Sequence, residues 1–393
     1  MKKKILLLTA YYEPGYKSGG PVRSISMLVK NLDRSYNFFI VTTNRDYGDT
    51  ENYPGIKSNR WHKRGLNGYL YINATLPDQI LFPLKNVLNK RFDCIYINNF
   101  FSLQFSIIPL ICIYLLGGAK KVPVLIAPRG QFSPDALKIK SIRKKVFLFL
   151  LKATVLKMKK ILFQATCEEE KKQIADILGK LNKKIFFAPN FGSFKPDILQ
   201  KKFNYKKRGV LSIVYIGRVS VIKNIGFAFD VLQCIDSGEI QFDIYGPCTE
   251  AAYLETLHEK MKTLPSNVKV AFYGDIAHSE VPDILLKYDL FFSPSKSENF
   301  GHSLIEALSH GIPLLIGDNT PWKGLPSKFA GWDLPVDDKS AFVSVVESMV
   351  NMDNEEFQKL HYGALSYIQT HELFCSVMEL NEKMFQQIFA ESK

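Results

Sequence analysis

The sequence predicts an α/β protein of two parallel-sheet domains, and three observations carry that expectation. Short apolar runs alternate with helical patterns through the first half, and the alternation restarts after residue 209. At 393 residues the chain is too long for one ordinary core. The stretch from Tyr288 to Trp322, YDLFFSPSKSENFGHSLIEALSHGIPLLIGDNTPW, contains a complete strand–loop–helix–strand unit.

Composition narrows the class. With 46% hydrophobic and 23% charged residues the chain is that of a folded protein rather than a disordered one. Six cysteines (94, 112, 167, 234, 248 and 375) lie far apart without a C-x-x-C pair, which argues against a zinc site or disulfide framework and fits a reducing cytoplasm. The start, Met-Lys-Lys-Lys before Ile5 to Ala10, mimics a signal peptide. Its apolar run is short and meets Tyr11-Tyr12-Glu13-Pro14, so it reads as a first buried strand. The longest apolar segment, Ile107 to Leu116, contains Pro109 and is far short of a membrane span.

The net charge of +13 is concentrated. Lys120 to Arg208 holds 23 basic and six acidic residues, a net of +17, and the remainder is at −4. Such a patch suits nucleic acid, an anionic membrane or an anionic substrate, and no nucleic-acid-binding signature accompanies it.

In chain order, the expected strands of the first half are Lys4 to Thr9, Phe38 to Thr43, Tyr69 to Ile72, Cys94 to Asn98, Pro123 to Ala127, Ile161 to Ala165 and Ile185 to Ala188. After the first strand, Tyr11 to Gly20 ends in Gly19-Gly20, and a helix follows with Pro21 in its first turn. Two glycines before a helix start admit a phosphate closely or simply make a tight turn. There is no G-x-G-x-x-G, so a dinucleotide-binding dehydrogenase is poorly supported. Asn98-Asn99-Phe100-Phe101 and Pro128-Arg129-Gly130-Gln131 both follow strands, which puts them on the same sheet edge. Arg129 either binds an acidic acceptor group or braces its loop.

Lys138 to Lys160, KIKSIRKKVFLFLLKATVLKMKK, predicts a basic amphipathic helix or helix pair, with Val146, Leu150, Ala153 and Leu156 toward the core. Its lysines offer a surface for anionic lipid, or they are the solvated face of a buried helix. The polar, basic stretch Gly192 to Gly209 predicts the linker, with domains at 1–195 and 210–372, a linker at 196–209 and a terminal segment at 373–393.

The second half restarts with a strand at Val210 to Ile216, ending in Gly217-Arg218, with Lys223-Asn224 at the next helix start. A basic pair there suits a diphosphate, and solvated surface charges are the alternative. Phe242 to Tyr245 and Val268 to Tyr273 are the next strands, each closed by a glycine turn, Gly246-Pro247 and Gly274-Asp275-Ile276. In the stretch from Tyr288, Leu290 to Phe292 is a strand, Ser293 to His302 a polar loop, and about Ser303 to His310 a helix ended by Gly311 and Pro313. Pro313 to Ile316 returns to the sheet. A loop between a strand end and a helix start attracts anions, because free N–H groups and the helix dipole point there. Glu298 and Glu306 flank it; by themselves, Ser303 and Glu306 also fit an S-x-x-E capping box.

E-N-F-G-H-S-L-I-E, with its surroundings G-H-S-L-I-E-A-L-S-H-G-I-P-L-L-I, resembles the E-x7-E motif of the retaining glycosyltransferases of family 4 (group 1). G-R-V-S-V-I-K-N is similar to that family's G-R-x4-K motif. D-N-T-P-W and A-G-W-D-L-P resemble a subgroup of bacterial surface-polysaccharide pathways, as does P-R-G, although this chain has asparagine near the position where many members carry histidine. Pro189-Asn190 matches the turn that closes the first domain of such enzymes. The resemblance implies a GT-B architecture of two Rossmann-like domains facing across a cleft, with a terminal helix packing back on the first.

It further implies transfer of a sugar from a UDP- or GDP-linked donor to a glycan or lipid-linked oligosaccharide, in capsule, O-antigen or exopolysaccharide synthesis. Glu298, Arg218 and Lys223 would be the catalytic residues, with Glu298 on sugar hydroxyls and the cations on the diphosphate. Gly19, Gly20, Gly246, Pro247, Ile276, Phe300, Gly301, His302, Ser303, Leu304 and Glu306 would bind the donor, Phe300 to Ser303 through backbone and Glu306 through the ribose. Asn98, Asn99 and Arg129 would face the acceptor. No D-x-D occurs in the sequence, so no metal or cofactor is expected and the two cations and a helix start take the metal's electrostatic place. A cytoplasmic enzyme follows, with residues 138–160 toward the inner face of the membrane. A nucleotide-sugar epimerase of the same fold and a catalytically silent nucleotide- or glycan-binding scaffold at the membrane are the alternatives.

Overall fold

The computed structural model describes residues 2–73, 92–115, 122–138, 141–181, 183–192, 205–248, 250–371 and 376–391. The chain divides into two compact units, Met1–Phe191 with Ser376–Lys393, and Gly192–Cys375. Most of the stretch expected as a linker, 196–209, lies outside the described residues.

The first unit is built on eight strands: β1 (Lys3–Thr9), β2 (Tyr36–Thr43), β3 (Trp61–Arg64), β4 (Asn67–Ile72), β5 (Cys94–Asn98), β6 (Val124–Ala127), β7 (Ile161–Ala165) and β8 (Ile185–Phe187). Their order is β3-β4-β2-β1-β5-β6-β7-β8. Every pairing is parallel except β3 with β4, a hairpin turned at Gly65 that adds an edge strand the apolar pattern does not reveal. Successive β1 side chains go to opposite faces: Ile5 and Leu7 join one core, Leu6 and Leu8 the other, all four fully buried. Helices cover both faces: α1 (Gly20–Leu32), α2 (Ile108–Leu115), α3 (Pro134–Lys138), α4 (Ser141–Ala153) and α5 (Glu168–Leu178). The last helix of the chain, Val377–Ala390, belongs to this unit. Val377, Met384, Phe385 and Ile388 enter the core of Ile5 and Leu7, and Asn381 Nδ2 donates to the Pro189 carbonyl at 2.9 Å.

One expectation fails here. Leu156 is buried, but Val146, Leu150 and Ala153 of the basic segment face solvent, and α4 instead turns Leu151 inward with Phe147 and Leu148 partly buried behind it. Val146 to Leu151 is an unbroken apolar run, so periodicity alone did not choose the inner face.

The second unit has six parallel strands: β9 (Val210–Ile216), β10 (Glu239–Tyr245), β11 (Val268–Gly274), β12 (Leu290–Ser293), β13 (Leu314–Gly317) and β14 (Gly331–Leu334). Their order, β11-β10-β9-β12-β13-β14, reverses direction between β9 and β12, the kind of switch point at whose strand ends α/β sheets bind ligands. The apolar pattern does not reveal edge strand β14. Helices α6 (Ile225–Leu232), α7 (Ala251–Met261), α8 (Val281–Leu285), α9 (His302–Ser309), α10 (Lys339–Asn351) and α11 (Asn354–Thr370) cover the faces. Neighbours again split between two cores, Phe292 with Ile213 and Phe291 with Val214.

Candidate functional site

The loop between β12 and α9 is fixed from three sides. The Lys296 N–H donates to the Ile222 carbonyl at 2.9 Å, in the turn before α6, and the Glu298 N–H to the Asn319 carbonyl at 3.1 Å. The Trp322 indole N–H donates to the Phe300 carbonyl at 2.6 Å. Trp322 is fully buried, so the D-N-T-P-W segment anchors the loop's far end. Gly301 then takes a left-handed φ of 75° as the N-cap of α9, with no side-chain cap. Ser303 therefore lies inside the first turn and does not form the S-x-x-E box. Phe300 and Leu304 bury their side chains, which leaves only their backbone for a ligand, whereas His302 and Ser303 are half-buried.

This anchoring brings residues far apart in sequence together. Lys223, in a 3-10 turn after β9, forms an ion pair with Glu298, both side chains mostly buried. Arg218 is exposed on the same connection, and the Tyr215 hydroxyl donates to its carbonyl at 2.8 Å. Burial, then the negative charge of Glu298, holds the Tyr215 hydroxyl far above its ordinary pKa, with Arg218 opposing. Tyr215 is thus a neutral strut between the two charges. Glu306 is buried on α9, and His278 Nε2 lies 3.4 Å from its carboxylate. Neither Tyr215 nor His278 stands out in the sequence, because neither belongs to a charged motif.

The glycine turns of neighbouring strands are stitched together. Gly217 N–H donates to Tyr245 O at 2.9 Å, Val219 N–H to Pro247 O at 2.9 Å and Gly246 N–H to Gly274 O at 2.7 Å. Gly246 has φ 126°, and a Cβ there would come within 2.1 Å of the Gly217 carbonyl. Beside these turns Tyr273, 54% exposed, stacks on Tyr245 with centroids 4.7 Å apart. The Tyr245 and Tyr288 hydroxyls are 2.9 Å apart and Tyr288 donates to Asp243 at 2.6 Å. Burial, then Asp243, raises the Tyr288 pKa and keeps that hydroxyl a donor. Ile276, after the Gly274 turn, is partly buried against the core of Phe291.

The remaining candidates lie in the first unit. Gly19, with φ 66°, caps α1 at its junction with Gly20. The preceding loop is pinned by Asp46, whose carboxylate accepts from the Tyr16 and Lys17 amides at 2.7 and 3.1 Å. Arg129 spends its guanidinium internally, donating to Asn98 at 2.8 Å, to the Tyr96 hydroxyl at 2.6 Å and to Asn190. Of the two roles open to Arg129, loop bracing is the one these contacts perform. Asn98 is fully buried and also donates to Thr9 Oγ1 at 3.2 Å, so it is a strut rather than a surface group. Asn99 is half-buried in a left-handed conformation. Buried Glu170 holds the P-R-G turn from the other side, accepting from the Gly130 amide at 2.6 Å. Among the described residues no three His, Cys, Asp or Glu side chains are grouped to hold a metal.

Two parallel-sheet α/β domains with this switch-point loop define the GT-B class of fold, and solved structures agree. The chain is similar to Anabaena HepE in complex with UDP and glucose (TM-score 0.68, 15% identity, 99% of this chain and 100% of that one). It is also similar to a sucrose-phosphate synthase of Thermosynechococcus elongatus (TM-score 0.72, 16% identity, 99% and 100%).

Residues 197–364 match the model of the family described as Glycosyl transferases group 1. An uncharacterized 41.2 kDa protein in the cps region of Klebsiella pneumoniae is 22% identical over 62% of this chain and 64% of its own length. The 2-deoxystreptamine N-acetyl-D-glucosaminyltransferase of Niallia circulans is 27% identical over 46% of this chain and 45% of its own. The chain thus spans less than two thirds of these curated relatives.

Proposed function

We propose that the protein is a retaining glycosyltransferase of family 4 that moves a sugar from a nucleotide diphosphate donor to a glycan or lipid-linked oligosaccharide. The observation that carries this reading is the meeting of Lys223 with Glu298 on a loop that also leads to buried Glu306. During transfer the bond from the anomeric carbon to the diphosphate breaks as the bond to an acceptor hydroxyl forms, and negative charge collects on the leaving diphosphate. Arg218 and Lys223 are the cations that stabilise it, aided by the amides that open α9. Glu298 accepts hydrogen bonds from donor-sugar hydroxyls and Glu306 from the ribose. The turns at Gly246-Pro247 and Gly274 to Ile276 border the base.

A UDP-linked donor is supported by the likeness to HepE with UDP and glucose, and a surface-polysaccharide setting by the relative in a cps region. The two cations in place of a metal make the reaction metal-independent in this reading. The test is nucleotide release from UDP-, GDP-, ADP- and CMP-sugars, with EDTA present and crude lipid-linked acceptor added. Release from one donor that depends on acceptor and ignores EDTA supports the reading. Loss of release in EDTA removes its metal independence, and binding of a donor without release from any favours the silent scaffold.

A further inference from the structure

Helix α4 presents solvent with large apolar side chains in a single stripe. Ile142 is 77% exposed, Val146 56%, Phe149 72% and Leu150 55%. Their spacing, i, i+4, i+7 and i+8, puts them on one face. The opposite face is committed to the core: Leu151 is buried, and Phe147 packs on Phe100 and Phe101 with centroids 6.2 and 6.3 Å apart. The helix is therefore fixed in rotation and cannot turn its outer stripe inward without giving up that aromatic cluster. On α2, against which the short turn after α4 packs, Leu115 is exposed as well.

Apolar side chains alone would fit several occupants; the surrounding charge selects one. Arg143 and Lys145 are exposed beside the stripe, within the segment whose net charge is +17. A second copy brought to this face would set Arg143 and Lys145 against their own copies, and like charges disfavour such a two-fold contact. An anionic bilayer satisfies both features, since cations attract its headgroups and Phe, Leu and Ile enter the acyl boundary. Among the described residues no helix is long and apolar enough to cross a membrane, so the attachment is to one leaflet.

We propose that α4 lies in the surface of an anionic membrane with Ile142, Val146, Phe149 and Leu150 inserted. The contact is hydrophobic insertion guided by charge, not adsorption of a lysine-rich face. The claim stands apart from the transfer reaction, because none of these four residues is among the candidate site residues.

The experiment is flotation of the full chain with vesicles of zwitterionic phospholipid, alone or with phosphatidylglycerol added. Wild type should float with the anionic vesicles only. Phe149→Ser with Leu150→Ser should weaken flotation by about ten-fold or more, with the melting temperature and nucleotide-sugar turnover on a soluble acceptor unchanged. Arg143→Gln with Lys145→Gln should weaken it as well and reduce its salt dependence. In a Phe149→Trp variant, lipids brominated along the acyl chain should quench the added fluorescence. Three results would overturn the proposal: undiminished flotation of the serine variant, no quenching at position 149, or a wild-type dimer that the serine variant breaks without either binding vesicles.

Discussion

Trp322 and Phe300 are joined by one hydrogen bond, from the indole N–H to the backbone carbonyl at 2.6 Å, and it sets where α9 begins. The carbonyl lies one residue before the left-handed Gly301 cap, so the indole holds the loop where it turns into the helix. Trp322→Phe keeps the aromatic packing and removes the donor. Leaving the carbonyl unpartnered should cost about 1–3 kcal/mol of unfolding free energy. Donor affinity should fall while chemistry on bound donor changes less, read as a rise in KM larger than the drop in kcat.

Arg218 is exposed and ties to the fold through its backbone, which accepts from Tyr215. Arg218→Ala should therefore leave the melting temperature within a degree or two and lower transfer by about 10²–10³-fold. Near-normal turnover would remove Arg218 from the reaction.

Lys223 and Glu298 are paired where each is mostly shielded from water. Removing one partner strands the other charge, whereas removing both does not. Lys223→Met and Glu298→Gln should each destabilise the protein, and the double variant should lose less than their sum, by about 0.5–3 kcal/mol. Additive losses in denaturant titrations would mean that the pair is not coupled. All three variants should be severely impaired in transfer.

Two glycines of the strand-end turns should respond differently to the same methyl group. At Gly246 the new Cβ would collide with the Gly217 carbonyl, while at Gly274, with φ 69°, it meets nothing within 4 Å. Gly274→Ala should cost about 1–2 kcal/mol from backbone conformation alone. Gly246→Ala should cost more and also displace the Gly217-Arg218 turn, lowering transfer. Equal effects of the two substitutions would dissolve the link between the turns.

His361, buried on α11, has its pKa held below the ordinary imidazole value by desolvation, with a hydrogen bond to the Gly311 backbone opposing. The folded state keeps it neutral, while the unfolded chain takes up a proton near pH 6.5. Stability should thus fall as pH drops below about 6.5, by up to about 1.4 kcal/mol per pH unit until the folded-state pKa is passed. His361→Gln should flatten that part of the stability–pH curve. An unchanged slope would assign the acid sensitivity to other groups.

Much of this molecule was legible in its sequence. The strands of both sheets that are buried on two faces announced themselves as unbroken apolar runs, because both faces of such strands need apolar side chains. β3 and β14 did not, since an edge strand makes fewer demands on its side chains. The E-x7-E loop was legible because a strand end, a polar loop and a helix start follow each other within the chain. Local order of that kind is written in short-range spacing.

What the sequence left open was long-range contact and the choice between apolar faces. That Lys223 meets Glu298, that Trp322 reaches back to Phe300, and that Arg129 is consumed by Asn98, Asn190 and Tyr96 depend on which strands lie side by side. Spacing along the chain carries no distance between separate elements. Helix α4 is the sharpest case: with an unbroken apolar run from Val146 to Leu151, its periodicity admits more than one inner face. The aromatic cluster of Phe100, Phe101 and Phe147 selects one of them, and Ile142 and Phe149 are left on the outside. The sequence determined which segments are helix, strand and charged loop, through local propensity and periodicity. Tertiary packing alone decided which side chains are struts, which are free to bind, and which apolar stripe meets the solvent.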